Sequence, residues 1–475
     1  MKRAKWLLLP MALLFLAGCA APKADAPHAG ALSYEPLSFS VKQIRPLALE
    51  SGANLYLLED PELPLVELTL MVEAGDGLVP ASKTGLGDLF ASALRTGGTA
   101  SLSPEEVDAR LAAMAASLSV TTDTYLTRFH LSVHRDSFEP ALAILLGLLT
   151  EPAFEPQALE IARSRMLEAV RRRNDQPSGI AQRALAKAVY DGHPLGQSPR
   201  AETLSAIARS DLTDFHEAYF HPCNVRIGIS GDFSPEQVRA LLTQALGRLS
   251  SQSGESRTIA PLASPDAPKL YFTRKDISQT TVLMGRRGFD KDDPDLYAAR
   301  VMNYILGGGG FNSRLMREIR SNRGLAYSVY SYFQVGRRLP GLFILGAETR
   351  NDAVAEVVEL MRQEMEKMRQ VPVTAKELQG AKESLVNSFV FAFTDSHEVL
   401  TQSMRLDIFD YPPDYLERFR ERIAAVGTED VRRVARRFLD PAELNLILVG
   451  DLEESPAKLE QFGLPVVDFL EWETP

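Results

Sequence analysis

The chain has 475 residues, 45% hydrophobic and 24% charged, enough at ~100–200 residues per domain for two to four domains with real cores. That composition excludes disordered and collagen-like chains, and 2 Cys are too few for a disulfide framework or a Cys-rich zinc site. With 52 basic against 62 acidic residues the net charge is −10, which argues against sequence-independent nucleic-acid binding, whose footprint is basic.

Lys2, Arg3 and Lys5 precede an apolar run from Trp6 to Ala17, too short for a bilayer core that needs ~20 residues. The run ends in Leu16-Ala17-Gly18-Cys19, which looks like a bacterial lipobox. Residues 1–18 therefore read as a lipoprotein signal peptide and Cys19 as the lipidated residue; with Cys19 so used, Cys223 has no disulfide partner. Removing residues 1–18 takes away three cations and no acid, leaving a mature charge of −13. Ala20 and Ala21 follow the cysteine without a retaining Asp, so the expected location is the bacterial envelope, anchored in the outer membrane and facing the periplasm. Residues 19–38, rich in Ala and Pro and containing His28, read as a flexible tether.

The body repeats itself. Gly231 in Ser-Gly-Asp and Gly450 in Val-Gly-Asp lie 219 residues apart, and the same offset aligns Pro222 with Pro441, Asp211 with Asp430, Leu159 with Leu378 and Ala162 with Ala381. This predicts two homologous halves, 39–250 and 268–475, joined by a Ser/Pro-rich linker at 251–267. Val66, Leu68, Leu70 and Val72 alternate with Glu67, Thr69 and Met71 as in a half-buried strand. Ser103-Pro-Glu-Glu106, Ser234-Pro-Glu-Gln237 and Thr374-Ala-Lys-Glu377 open helices with capping boxes. Tyr125–His134, Val282–Met284, Ala326–Phe333 and Leu342–Leu345 read as further strands. Strands and helices come in groups, not in strict βαβ order. The expected class is α+β, each half a mostly antiparallel sheet with helices on one face.

Chemistry is sparse. HExxH is absent, and His216 and His221 are five apart, so on a helix their rings diverge by ~140°. Both read as helix-surface residues. His130 and His134 sit in a strand pattern with no acid between them, at the core edge or facing solvent; His193 in a turn and His397 after a loop show no partners. There is no G-x-S-x-G and no Walker loop, because Gly307-Gly308-Gly309-Gly310 lacks the following Gly-Lys-Ser/Thr. That glycine run reads as a helix stop after Tyr304-Ile305-Leu306 or as a mobile loop whose bare backbone approaches a peptide. A helix through Leu315 and Ile319 then stops at Gly324 before the strand from Ala326.

The segment Gly-Gly-Gly-Gly-Phe-Asn-Ser-Arg314-Leu, followed by Arg323-Gly-Leu-Ala-Tyr327-Ser-Val, resembles the second homologous domain of the pitrilysin/insulinase family of zinc peptidases, the inverzincins. The strand ends at Gly231 and Gly450 and Asp191-Gly-His-Pro-Leu-Gly196 fit as well, and the likeness covers nearly the whole mature chain. It implies two such halves, as in mitochondrial processing peptidase, closing like a clam-shell around a peptide chamber.

The family's catalytic motif is H-x-x-E-H. At its place stands Gly85-Leu-Gly-Asp88-Leu-Phe-Ala91-Ser92, so Asp88 and Ser92 occupy the His positions and Ala91 that of the general base. Glu168 falls where the family supplies its third ligand, but one carboxylate does not hold zinc, and Glu168 reads as a solvated helix residue. The first half is thus expected to bind no metal. The second half retains Arg320 and Tyr327, matching in type and seven-residue spacing an Arg–Tyr pair that the family directs into the chamber. A guanidinium and a phenol there donate to a substrate carbonyl and its developing oxyanion. The resemblance implies a non-catalytic, substrate-binding subunit whose H-x-x-E-H partner carries the zinc, with peptide or unfolded polypeptide as substrate. The alternative is a stand-alone peptide-binding or scaffolding lipoprotein of the envelope with no role in proteolysis.

Overall fold

The structure is a computed structural model describing residues 44–249, 258–389, 391, 393, 395–452 and 459–473. The expected signal segment, Cys19 and the tether lie outside the described residues, as do residues 251–257 of the expected linker; Cys223 is exposed with a free thiol.

The first sheet contains β1 (Leu47–Ala48), β2 (Asn54–Glu59), β3 (Leu65–Val72), β4 (Ser117–Thr122), β5 (Thr127–His134) and β6 (Val225–Gly231), in the order β1-β2-β6-β3-β5-β4. The second contains β7 (Leu270–Arg274), β8 (Gln279–Arg287), β9 (Ala326–Gln334), β10 (Leu342–Arg350), β11 (Asn445–Gly450) and β12 (Val466–Asp468), in the order β12-β7-β11-β8-β10-β9. Superposing the orders matches β2 with β7, β6 with β11, β3 with β8, β5 with β10 and β4 with β9. In each sheet one strand pair at this position is parallel (β2–β6, β7–β11), while the strands beyond it run antiparallel out to the β4 or β9 edge. The duplication is therefore one of topology as well as of sequence.

Helices cover one face of each sheet. Over the first lie α1 (Leu86–Thr96), α2 (Phe138–Thr150), α3 (Pro156–Arg172) and, after α4 (Pro177–Val189), α5 (Arg209–Tyr219). Val66, Leu68 and Leu70 of β3, Phe129 and Leu131 of β5 and Ile227 and Ile229 of β6 meet Leu89, Phe90, Leu142, Leu145 and Phe215. Over the second lie α6 (Leu296–Asn303), α7 (Val354–Gln370), α8 (Ala375–Phe389) and, after α9 (Ser396–Ile408), α10 (Thr428–Phe438). Two of the three expected capping boxes form in full, at Ser103–Glu106 and Thr374–Glu377, with bonds of 3.3 and 3.2 Å to the N-cap hydroxyl and 2.9 Å back to each N-cap N–H; at Ser234 only the forward bond from Gln237 N, 3.5 Å, is present.

The remaining helices are exchanged. α4, from the first half, lies on β8 and β11, where Ile180, Ala184 and Leu185 pack on Leu283, Ile344 and Ile447. α9, from the second half, lies on β6 and β2, where Leu400, Met404 and Ile408 pack on Tyr56, Leu58 and Met71. Their first residues, Pro177 and Ser396, are again 219 apart. Each buried Leu, Met or Ile at such a contact is worth ~1.5–3 kcal/mol, so the exchange ties the two halves together strongly. Two glycines permit the close approach: a Cβ on Gly228 would overlap Leu400 and Met404, and one on Gly285 would overlap Leu185. This explains why β3 is not the half-buried strand its alternation predicts. Thr69 and Met71, on the face away from the main core, are buried beneath α9.

Candidate functional site

In the first half, α1 presents Asp88, Ala91 and Ser92 to one cavity of about 440 Å³, lined also by Arg95, Thr96 and residues 118–122 at the edge strand β4. The helix repeat puts positions 88 and 92 one turn apart, the spacing two ligands would need. The side chains do not suit zinc: no imidazole is present, and Glu168 lies outside the lining, exposed on α3 and paired with Arg171 at 3.6 Å. Among the described residues no group of three His, Cys, Asp or Glu is disposed to hold a metal ion. Asp76, which sequence reasoning missed, stands behind this wall. Its Oδ1 accepts the Gly87 N–H at 3.0 Å, tying the start of α1. Burial, then the neighbouring Asp88, pushes its carboxyl up to about 7, and burial raises Asp88 as well. The wall thus holds two carboxyls raised above their ordinary values and, in its lining, no imidazole that would hold a metal.

The second half is different. α6 does not stop at the glycine run: it continues through Tyr304–Gly308 as a wide π-helical turn. Gly307 is buried against β9, where a Cβ would overlap Ser331; a Cβ on Gly308 or Gly309 would overlap Asn303 or Tyr304. Only Gly310, at φ +56°, has open space where its Cβ would be. Three of the four glycines thus let the turn nest on itself and on β9, where Ser331 Oγ donates to Asn303 Oδ1 at 2.8 Å.

A second π-helical segment, Met316–Asn322, carries Arg320 and closes at Gly324, whose φ of +65° and N–H to Arg320 O at 3.0 Å match the expected stop. The Arg320 guanidinium lies 4.5 Å from the centroid of the Tyr327 ring and 4.6 Å from that of Phe311. Tyr327 is 80% exposed and Phe311 67% exposed. A β-bulge aims Tyr327 outward. Ala326 pairs with Thr349 and Val329 with Ala347, three steps on β9 against two on β10, so both buried residues face the core while Tyr327 and Ser328 between them face solvent. Sequence reasoning placed Arg320 and Tyr327 together but missed Phe311, although it directly follows the glycine run. Below them Arg314 forms a fork with Glu377 of α8 at 2.8 and 2.9 Å. Burial alone would raise the Glu377 carboxyl, but Arg314 and the Thr374 N–H bring it down to about 2.

The histidines depart from their sequence reading. His216 is not a free surface residue: it stacks on Phe220 and its Nε2 donates to Leu149 O at 2.7 Å. His221 is buried, with Nε2 on Ala218 O at 3.1 Å. His193, expected to stand alone, is buried with Nε2 on Ala260 O at 2.9 Å, and His397 is buried in a polar cluster. For His216, His193 and His397 the partner is a distant carbonyl or hydroxyl that the sequence does not reveal; for His221 it is the nearby Ala218 carbonyl.

Two topologically equivalent α+β halves, one whose α1 brings no imidazole to its cavity and one with an exposed cation–aromatic wall, define a duplicated α+β fold. The chain belongs to the insulinase peptidase family, M16: residues 56–202 match the profile described as insulinase (peptidase family M16), and residues 206–385 that described as peptidase M16 inactive domain. It is a member that lacks the catalytic H-x-x-E-H motif. Among its relatives, a non-peptidase homologue, YmxG, of Helicobacter pylori is 29% identical over 70% of this chain and 76% of its own. An uncharacterised zinc protease, also called YmxG, of Bacillus subtilis is 22% identical over 85% of this chain and 98% of its own. The crystal structure of a peptidase M16 inactive domain from Pseudomonas fluorescens superposes with a TM-score of 0.77 and 26% identity, covering 86% of this chain and 98% of that one. The periplasmic protease PqqL of Escherichia coli shares the fold with a TM-score of 0.72 at 16% identity, over 93% of this chain and 50% of its own.

Proposed function

We propose that this chain is the substrate-binding, non-catalytic subunit of an envelope zinc endopeptidase, completing the peptide chamber of an H-x-x-E-H partner and anchored through a lipidated Cys19. One observation carries the reading. Arg320 is held between two exposed rings, and among the described residues no carboxylate forms a salt bridge with it. A cation fixed by stacking and left without a counter-charge on an open wall offers its N–H groups to a carbonyl or carboxylate from outside. The exposed Tyr327 phenol beside it is a second donor. The first half lacks the imidazoles that would hold a water-activating zinc, so bond cleavage falls to the partner, while Arg320 and Tyr327 steady the oxyanion that develops on the substrate carbonyl. The relative named a non-peptidase homologue and the neighbour named a periplasmic protease support this reading.

The test is co-purification from native membranes, followed by kinetics of the assembled complex. Losing one oxyanion donor costs ~2.7–4 kcal/mol, so Tyr327→Phe is expected to lower turnover by about 10²-fold or more with KM changed less. Arg320→Ala is expected to weaken both, and Cys19→Ala to abolish palmitate labelling and membrane fractionation. Unchanged turnover for Tyr327→Phe in an intact complex makes the pair structural and favours a scaffolding lipoprotein instead.

A further inference from the structure

The contact between α9 and the first sheet has an apolar centre, with Asp407 meeting Tyr56 and Arg226 at its far end and a buried histidine near its start. His397, 7% exposed, lies at the start of α9 with both ring nitrogens engaged: Nε2 is 2.8 Å from Thr69 Oγ1 of β3 and Nδ1 is 2.8 Å from Ser230 Oγ of β6. Thr69 Oγ1 also lies 3.3 Å from His130 Nδ1 of β5, and the two imidazole rings are 5.4 Å apart. The neutral chain closes in either of two opposite directions: Ser230 to His397 Nδ1, His397 Nε2 to Thr69 and Thr69 to His130 Nδ1, or the reverse with the other tautomers. These residues come from three neighbouring strands of one half and from a helix of the other.

We propose that this relay is an acid-operated latch: neutral, it docks α9 on the first sheet; protonated, it weakens that docking and lets α9 open locally. A proton from solvent makes both ring nitrogens donors, so His397 no longer accepts from either hydroxyl. The new charge then sits on a buried ring 5.4 Å from the second imidazole. Other charged groups on the contact do not neutralise it. Glu67 shares the face of Thr69 on β3, Arg128 that of His130 on β5, and Arg226 that of Ser230 on β6. Beyond β2, Asp60 accepts the Ser396 hydroxyl at 2.5 Å, and Tyr56 and Arg226 both engage Asp407. α9 itself brings Glu398 and Arg405, and Asp395 precedes it as its N-cap. Both hydrogen-bonding positions of His397 are taken by hydroxyls, and Asp395 is the one acid that favours its charged form, against burial and His130.

The docked imidazole is brought down to about 4 by burial and then by His130, whereas an exposed one titrates near 6.5. Docking is therefore fully favoured above about 6.5 and is lost progressively as pH falls from there toward about 4, by up to tenfold per unit. Hydrogen exchange of the full chain tests this. Between about pH 7.5 and about pH 5, protection factors across residues 396–408 are expected to fall about 30-fold while those of β8 and β10 hold. His397→Gln, which keeps an amide donor and acceptor, is expected to abolish the pH dependence. Unchanged protection in the unaltered chain, or the same fall in His397→Gln, overturns the latch. Should that variant not fold, NMR titration of histidine-labelled unaltered chain decides. Ring protonation at position 397 is expected to coincide with loss of α9 protection, and an imidazolium beneath a protected helix overturns the proposal.

Discussion

The two halves share a strand order and treat their carboxylates in opposite ways. In the first, Asp76 is pushed up to about 7 by burial and by Asp88, and no arginine or lysine forms a salt bridge with it among the described residues. In the second, Glu377 is brought down to about 2 because the Arg314 fork outweighs burial. The packing behind each wall is equally tight, since α1 buries Leu89, Phe90 and Leu94 as completely as α6 buries Val301 and Met302. Chemistry on an exposed helix face can thus disappear while the buried face of the same helix persists, because the two faces answer to different constraints.

Substitutions on α1 and around Glu377 probe that contrast. The sharpest is front against back of α1. Phe90 packs on Phe154, Phe215 and Phe220 with centroids 5.5, 4.9 and 5.3 Å away, so Phe90→Ala is expected to cost about 3–5 kcal/mol in denaturant unfolding. Next, Glu377→Gln removes half of a charged fork and leaves Arg314 with little solvent, an expected loss of about 2–3 kcal/mol at pH 7. Because the folded carboxyl lies below its usual 4.5, that stability is present above 4.5 and lost as pH falls through about 2, so the two proteins should converge in acid. Asp76→Asn is expected to act with the opposite sign. The folded carboxyl lies above its usual 3.8, so its contribution is complete below 3.8 and lost as pH rises through about 7. The Asn variant should match the unaltered chain near pH 4 and gain roughly 2 kcal/mol above pH 7, seen as a higher Tm. Smallest of all, Asp88→Ala and Ser92→Ala should stay within about 0.5 kcal/mol. A large loss from either would mean that the emptied wall still has a structural task.

Much of this was legible in the chain itself. Alternation located β3, β5, β8, β9 and β10, and three N-cap residues, Ser103, Ser234 and Thr374, marked helix starts. Those features are local or periodic, and a residue's own neighbours in sequence enforce them. What only the tertiary structure decided lies between distant segments: α4 and α9 crossing to the other half's sheet, Thr69 meeting His397 across 328 residues, Phe311 closing the stack on Arg320 and the β9 bulge turning Tyr327 outward. An apolar stripe says that a helix must be covered but not by which sheet. Any of several apolar faces satisfies the same pattern, and shape decides among them, here through Gly228 and Gly285, which leave room where any side chain would block the crossing helix.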